Sequence, residues 1–176
     1  MGEKEAATVR IAGVYRESIV DGPGIRFTVF CQGCSHGCPG CHNPETHDFD
    51  GGYDCSVDRI VEEVLKDPIL DGVTLSGGDP VFQAAGFAEL TEKLKGHGIN
   101  VLLYTGFTYE ELLERAKEDP DTERLFSQID YLIDGRFVQE ERDLTLLFRG
   151  SRNQRFIDMN QTRKQGKIVL YEESVH

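Results

Sequence analysis

Four of the chain's five cysteines lie close together in the sequence CQGCSHGCPGCHNP, at residues 31–44. Cys34, Cys38 and Cys41 have the spacing C-x3-C-x2-C, and Cys31 precedes them at the end of an apolar run. Three thiolates on one short loop can each bind a different iron of a 4Fe–4S cube, which leaves the fourth iron without a protein ligand. The spacing therefore predicts a cluster with one iron open to a substrate.

Two other interpretations start from the same cysteines. A zinc site built from all four thiols would be structural, but zinc ribbons and knuckles usually bring their ligand pairs from separated turns. A set of unrelated buried thiols is favoured less, because cysteines in a glycine-rich loop contribute little to a core. Since the open-iron cluster needs only three thiolates, Cys31 is interpreted as a small apolar residue on a buried strand.

Three further loops carry residues that can bind a ligand, and each follows an apolar run typical of a strand. In SGGDP, at residues 76–80, Asp79 is a predicted helix N-cap and Pro80 the first helical residue. The two glycines let a ligand approach the backbone, and the carboxylate can accept a hydrogen bond from a cationic amine. Residues 105–106 and 134–137 follow the next two strands. Each loop taken alone is an ordinary turn signal.

The elements that position these loops alternate between strands and helices. Helix starts are indicated by Ser56, by Asp79 and by the pair Thr108 and Glu111, which has the spacing of a capping box. Short apolar runs of the kind found in a covered parallel sheet predict the strands. These strands are 25–31, 72–76, 99–104, 129–133 and 167–171.

This alternation predicts a parallel α/β domain, in which ligands bind beyond the carboxyl ends of the strands. Five to six parallel strands are too few to close the usual eight-stranded barrel. We therefore expect an open partial (β/α) barrel with outer helices and a gap that admits a partner's loop. A chain of 176 residues favours a single domain over residues 1–176, with a core of about 8–171.

Charge and hydropathy exclude some classes of partner. The chain has 19 basic and 31 acidic residues, and a net charge of −12 repels nucleic acid and anionic lipid. No run approaches the roughly 20 apolar residues of a membrane span, and the N-terminus lacks the apolar centre of a secretory signal. We expect a cytoplasmic protein, with clustered cysteines that are metal ligands or redox groups rather than disulfides.

The cysteine loop resembles the cluster-binding loop of the radical S-adenosylmethionine enzymes, and DGPGIR at residues 21–26 is similar to a segment of glycyl radical enzyme activases. Four more segments resemble the activases of anaerobic ribonucleoside-triphosphate reductase: SGGDP (76–80), YTGFT (104–108), IDGRFVQE (133–140) and LLFRGSRNQRFID (146–158). The resemblance covers about residues 8–158. The cysteine loop defines only the superfamily, whereas the last two segments are specific to these activases.

This resemblance implies a chemistry. A 4Fe–4S cluster on Cys34, Cys38 and Cys41 would chelate the amino and carboxylate groups of S-adenosylmethionine. Reductive cleavage would give methionine and a 5′-deoxyadenosyl radical, which would take the Cα hydrogen of a glycine in the reductase. No catalytic residue is implied beyond the cluster and the cofactor. The implied electron donor is a reducing, flavodoxin-like protein.

The resemblance also implies contacts for the cofactor and the partner. Those for the cofactor are Gly40, Cys41 and His42 near the adenine, Gly77, Gly78 and Asp79 along the amino group, and Thr105 and Arg136 at the ribose and carboxylate. Those for the reductase's glycine loop are Arg149, Arg152 and Asn153. These three belong to a basic polar cluster that can also meet the cofactor carboxylate, or form a solvated surface loop.

Two alternatives to this function stay open. His42 with residues 43–44 looks closer to pyruvate formate-lyase activases, whose loop also ends in HNP, so an activase of that enzyme is the alternative. Two features favour the reductase activase. The chain is short, and Cys55 is isolated, so there is no second ferredoxin-like set of cysteines. An iron–sulfur electron carrier is a less favoured alternative, and in it Cys31 would become the fourth ligand.

Overall fold

The computed structural model describes residues 7–34, 51–146 and 148–171. Seven strands form one mixed sheet: β1 (Thr8–Ser18), β2 (Arg26–Cys31), β3 (Tyr53–Ser56), β4 (Gly72–Gly77), β5 (Asn100–Tyr104), β6 (Tyr131–Asp134) and β7 (Arg155–Asp158). Their order across the sheet is β3-β1-β2-β4-β5-β6-β7. Strands β2, β4, β5 and β6 run parallel, whereas β1, β3 and β7 pair antiparallel at the two sides.

Helices cover one face of this sheet. They are α1 (Val57–Leu65), α2 (Ala84–Gly96), α3 (Tyr109–Glu118), α4 (Pro120–Phe126) and α5 (Met159–Gln165). Short 3-10 turns lie at Pro80–Gln83 and Gln139–Glu141. Within the described residues, no helix is both long enough and apolar enough to cross a membrane.

The predicted helix starts are confirmed. The Ser56 hydroxyl accepts a hydrogen bond from the Arg59 N–H at 3.4 Å, and Thr108 and Glu111 form the reciprocal capping box of α3. Asp79 caps the 3-10 turn that leads into α2. These caps are local interactions, so the order of nearby residues is sufficient to indicate them.

The α/β class is confirmed, but the number of parallel strands is four rather than five to six. The predicted strand at 167–171 is wrong, because only Leu170 forms a bridge, antiparallel to Ile157. This run is apolar because Val169 is buried and Ile168 and Leu170 pack against the main core, not because the run pairs along its length. The described sheet is open, with β3 and β7 at its edges. Curvature into a partial barrel stays a prediction.

Side chains of β2 alternate between two different environments. Phe27, Val29 and Cys31 point to the helix-covered face and belong to the main hydrophobic core. Arg26, Thr28 and Phe30 point to the other face, here called the inner face. The sequence position of a β2 residue therefore decides whether it reaches the core or the inner face.

The buried Arg26, the first residue of β2, forms several hydrogen bonds on the inner face. The Arg26 guanidinium donates to the Thr74 hydroxyl at 2.7 Å, to Asn100 Oδ1 at 2.6 Å and to the carbonyl oxygen of Val73 at 3.0 Å. Its side chain is among the largest that are fully buried. Burial lowers the pKa of Arg26 to about 10. The inner face is thus polar around Arg26.

The DGPG turn at residues 21–24 folds onto this arginine. The Asp21 carboxylate accepts from the Thr28 hydroxyl at 3.2 Å, and its backbone carbonyl accepts from the Thr74 hydroxyl at 2.7 Å. Gly22 has a φ of +136°, and a Cβ there would lie 2.7 Å from Arg26 Cδ. The DGPG turn therefore packs against Arg26 on the inner face.

Replacing Arg26 by leucine tests how much these buried hydrogen bonds stabilise the fold. The change leaves Thr74, Asn100 and backbone carbonyls without their buried donor, so we expect the free energy of unfolding to fall by about 3 kcal/mol. Urea denaturation measures the loss. The control is Arg16→Leu, whose exposed guanidinium pairs with Glu63 at 2.8 Å and should contribute far less to the free energy of unfolding. Equal losses in the two variants would contradict the assignment.

Candidate functional site

A cavity of about 960 Å³ lies on the inner face, where the loops after the parallel strands meet. The loop after β2 contributes Cys34, and Gly77, the last residue of β4, lies at the cavity wall together with Gly78. Residues 105–106 follow β5 and residues 135–136 follow β6, and both pairs line the same space. The predicted convergence of these four loops is confirmed.

Two backbone hydrogen bonds join the cysteine loop to the GGD motif. The Gly78 N–H donates to the Cys31 carbonyl at 2.8 Å, and the Asp79 N–H donates to the Gly33 carbonyl at 2.9 Å. At Gly77 the φ is +94°, and a Cβ would lie 2.6 Å from the backbone nitrogen of Cys31. Real Cβ atoms essentially never come so close to backbone. The close approach that positions the start of the cysteine loop therefore requires glycine.

Asp79 joins the next pair of loops. Its side chain is 1% exposed, and its carboxylate accepts from the Thr105 hydroxyl at 2.8 Å, the Gly106 N–H at 2.9 Å and the Val81 N–H at 3.0 Å. Asp79 does not line the cavity, whereas Gly78 beside it does. The carboxylate fixes the loop after β5 against the loop after β4, and its predicted contact with an amine stays a prediction.

The loop after β6 is held by the amide side chains of the FRGSRNQ segment. Asn153 Nδ2 donates to the Arg136 carbonyl at 2.7 Å, and Gln154 Nε2 donates to the Gly135 carbonyl at 3.0 Å. The exposed Arg136 side chain lines the cavity and pairs with Glu111 at 3.3 Å. Asn153, predicted as a partner contact, thus positions backbone in this structure and does not line the cavity.

The basic cluster at residues 149–155 divides into different environments. Arg149 lines the cavity, whereas Arg152 is exposed and does not. Arg155 forms ion pairs with the buried Asp134 and, at 2.6 Å, with Glu110. These partners raise the pKa of Arg155. Of the three arginines in the cluster, only Arg149 reaches the cavity.

Sequence reasoning missed a contact that holds Phe148, the residue before Arg149. The Tyr104 hydroxyl donates to the Phe148 carbonyl at 2.7 Å, and Phe148 has a φ of 63°, which is unusual for a residue with a side chain. Burial raises the pKa of Tyr104. The Phe148 ring packs on Phe156, with centroids 5.9 Å apart. The sequence signal for this hydrogen bond was a tyrosine at the carboxyl end of β5, next to Thr105.

Cys31 and Cys34 lie in different environments. Cys31 is fully buried in the core under the helices, and this burial raises the pKa of its thiol well above the ordinary value. Cys34 is half-buried and lines the cavity. Gly40 and the remaining predicted ligands and contacts of the loop, Cys38, Cys41 and His42, lie outside the described residues. Within the described part of the chain, no three or more His, Cys, Asp or Glu side chains form a group that could hold a metal ion.

These features match a known class of iron–sulfur protein. Residues 20–157 match the family model described as "4Fe-4S single cluster domain", which covers more than half of the chain. The matched region includes the cysteine loop and the loops that follow β4, β5 and β6. The prediction of a 4Fe–4S protein is confirmed.

Full-length relatives define the family more narrowly. The anaerobic ribonucleoside-triphosphate reductase-activating protein of Vibrio cholerae is 37% identical over 149 residues, which span 80% of this chain and 92% of that protein. The protein of the same name from Escherichia coli K12 is 34% identical over 148 residues, with the same coverage. The chain belongs to the family of anaerobic ribonucleoside-triphosphate reductase-activating proteins, which confirms the resemblance found in the sequence.

Two further likenesses are more limited. The pyruvate formate-lyase-activating enzyme of Clostridium pasteurianum is 36% identical over 116 residues, which span 61% of this chain and 49% of that enzyme. The crystal structure of QueE from Escherichia coli aligns with a TM-score of 0.46 at 17% identity, over 57% of this chain and 54% of QueE. A structural likeness at that level supports no conclusion about fold or activity.

Substituting the two described cysteines of the loop tests their assignment. We expect Cys34→Ala to lose most of its iron after anaerobic reconstitution, because it removes a thiolate at the cavity. Cys31→Ala should keep about four irons per chain, because its thiol lies on the opposite face of β2. Iron and sulfide content and the absorption spectrum measure the outcome.

Cys55→Ala is the matched control, and it should also keep its iron. Circular dichroism of each metal-free variant establishes that the variant is folded. Equal iron loss in folded Cys31→Ala and Cys34→Ala would show that Cys31 is a ligand, which would contradict the three-cysteine assignment.

Proposed function

We propose that this chain is the activase of anaerobic ribonucleoside-triphosphate reductase and that it generates the reductase's glycyl radical by reductive cleavage of S-adenosylmethionine. One observation carries the proposal: a single cavity at the strand ends is lined by Cys34, by the glycine backbone of the GGD motif and by Thr105 and Arg136. Relatives of nearly the same length have names that describe activation of this reductase.

The residues present suit the cofactors. Cys34, with Cys38 and Cys41, would hold the cluster, and the half-buried Cys34 thiol at the cavity wall is a suitable donor. When bound, the reduced cluster supplies the electron that cleaves S-adenosylmethionine into methionine and a 5′-deoxyadenosyl radical able to take hydrogen from a glycine. Cys31 stays a buried neutral thiol.

The backbone of Gly77 and Gly78 would bind the amino group of S-adenosylmethionine, because neither residue carries a side chain that keeps a ligand away. Asp79 holds Thr105 and Gly106 at a fixed separation from these glycines. The other proposed contacts are Gly40, Cys41 and His42 at the adenine, Asp79 at the amino group, and Thr105 and Arg136 at the ribose and carboxylate.

Aromatic rings would protect the reaction from water. Phe30, Phe137 and Phe148 line the cavity together with Tyr104. Apolar walls exclude solvent and the solutes it carries, such as oxygen and thiols that donate hydrogen atoms, which would otherwise quench a carbon radical. The Tyr104 hydrogen bond to the Phe148 carbonyl at 2.7 Å, which fixes two of these residues, therefore serves the chemistry as well as the fold.

The proposal extends to fold, partners and location. The open sheet would curve into a partial barrel within a single domain, with its gap facing the reductase. Arg149, at the cavity, and the exposed Arg152 would contact the reductase's glycine loop. A flavodoxin-like protein would supply electrons, and the protein would act in the cytoplasm.

Activation of pyruvate formate-lyase is the second candidate. It is favoured by the HNP sequence at residues 42–44 and by the 36% identity to the Clostridium enzyme. That enzyme is about twice as long as the region it shares with this chain. The reductase activases match at nearly full length, and for this reason they define the preferred function.

An anaerobic activation assay tests the proposal. The reconstituted, reduced protein is incubated with S-adenosylmethionine and the reductase, and we expect 5′-deoxyadenosine, methionine and a glycyl radical doublet in the EPR spectrum. A reductase with its radical glycine replaced by alanine is the control and should show no doublet. A doublet formed on pyruvate formate-lyase, but not on the reductase, would favour the second candidate. Absence of 5′-deoxyadenosine with either partner would refute both.

A further inference from the structure

Residues 33–50, here called the cysteine segment, carry all three predicted cluster ligands. The structure describes the chain on both sides of this segment, including Gln32 before it and Gly52 after it. A Cβ on Gly52 would lie 2.9 Å from Gln32 Cβ and 2.4 Å from the Ile11 carbonyl oxygen. Gly52 also has a φ of +73°, so this close approach requires glycine. The chain therefore enters and leaves the cysteine segment at one place beside β1.

The amide side chain of Gln83 binds the backbone at the start of the segment. Its Nε2 donates to the Gln32 carbonyl at 3.0 Å and to the Arg10 carbonyl at 2.8 Å, and its Oε1 accepts from the Arg10 N–H at 2.7 Å. Strand β2 ends at Cys31, so this amide pairs with the β1 backbone where a neighbouring strand would otherwise do so. One side chain therefore ties the start of the cysteine segment to β1 and to the turn before α2.

The guanidinium of Arg10 binds the backbone at the end of the segment. Its Nε donates to the Gly51 carbonyl at 2.6 Å and its Nη2 to the Gly52 carbonyl at 3.3 Å, while Nη1 pairs with Asp54 at 3.2 Å. The donors of a guanidinium have a fixed planar arrangement, which lets one side chain bind two successive carbonyls. Because Gln83 holds the Arg10 backbone, the two residues together join both ends of the cysteine segment.

Close packing of α2 on β1 brings Gln83 within reach of Arg10. Gly86 lies three residues after Gln83, and a Cβ there would lie 2.6 Å from Val9 Cγ1 and 2.9 Å from the Thr8 carbonyl oxygen. A side chain at this position would push the helix away from the strand. Glycine is unfavourable within a helix, and this packing accounts for its presence here. The contact between Gln83 and Arg10 therefore depends on the glycine in α2.

We propose that Arg10 and Gln83 form a clamp that positions the cysteine segment for its iron–sulfur cluster. Fixing both ends of a chain segment reduces the conformational entropy that its residues lose when they bind a ligand. The clamp residues are positioning residues, because neither supplies a ligand to iron. Their effect is to slow the release of iron from the cluster. This inference rests on the cysteine ligands named in the proposed function and adds the residues that hold them in place.

Iron release from the full reconstituted chain tests the clamp. Gln83→Glu keeps the acceptor for the Arg10 N–H but removes the donor to the Gln32 carbonyl, and Arg10→Met removes the donors at the other end. From each folded variant, we expect iron to pass to a ferrous chelator about tenfold faster than from the wild type. The EPR signal of the reduced cluster should also broaden, because the thiolates are positioned less uniformly. Circular dichroism of the metal-free chains establishes that they are folded.

Gln128→Glu is the matched control. Gln128 is half-buried like Gln83, and its Nε2 donates to the Arg124 carbonyl at 2.6 Å, just before β6 begins. The substitution adds the same charge and removes a similar hydrogen bond, yet iron release should stay within about twofold of wild type. Wild-type iron release from either folded clamp variant would overturn the proposal, and so would equal acceleration in the control. Arg10→Met, at a half-exposed position, decides the matter if Gln83→Glu does not fold.

Iron release is measured without S-adenosylmethionine or the reductase, which separates this inference from the proposed function. Accelerated release in both clamp variants, with no 5′-deoxyadenosine formed by the wild type, would refute the activase chemistry and leave the clamp supported. A wild-type protein that forms 5′-deoxyadenosine and the glycyl radical, with clamp variants that release iron as slowly as it does, would refute the clamp alone.

Discussion

The candidate site depends on the close backbone contact between the loops after β2 and β4. The N–H groups of Gly78 and Asp79 donate to carbonyls on either side of Gln32, and this fixes where the chain leaves β2 towards Cys34. The parallel register of β2 and β4 continues to the pair Cys31 and Gly77, so the two strands end at the same level. A side chain at Gly77 would separate them.

From this contact a chain of hydrogen bonds crosses the sheet. Asp79 binds the Thr105 hydroxyl and the Gly106 N–H, and the Thr105 N–H donates to the Ile133 carbonyl at 3.1 Å. The Gly135 N–H then donates to the Phe107 carbonyl at 3.0 Å. Four loops therefore hold one another in place, and a buried carboxylate at the centre fixes the spacing without itself lining the cavity.

The sequence was sufficient to predict those parts of this arrangement that depend on neighbouring residues. Caps such as Ser56 and Asp79 act within three residues, and the buried strands β2, β4, β5 and β6 are rich in valine, leucine, isoleucine and phenylalanine, so both give clear signals. The convergence of the strand-end loops then follows from parallel topology.

What could not be predicted depends on pairing between distant residues. Strand β1 is half-exposed and irregular, with register shifts on both sides of Tyr15, and it lacks an apolar run. Strands β3 and β7 have four residues each. Likewise, Arg155 resembles a surface cation in the sequence, and only the fold brings it to Asp134. Distant partners of this kind leave no pattern in a single sequence.

Substitution of Gly77 by alanine tests the central claim most directly, with Gly98→Ala as its matched control. Both glycines have positive φ, +94° and +73°, but a Cβ at Gly98 meets nothing within 4 Å. Each change should therefore carry a similar conformational cost of about 1 kcal/mol, and only Gly77→Ala should displace the cysteine loop. The measurement is iron bound per folded chain after anaerobic reconstitution. We predict loss of most of the iron in Gly77→Ala and full retention in Gly98→Ala. Full iron content in Gly77→Ala would contradict the account.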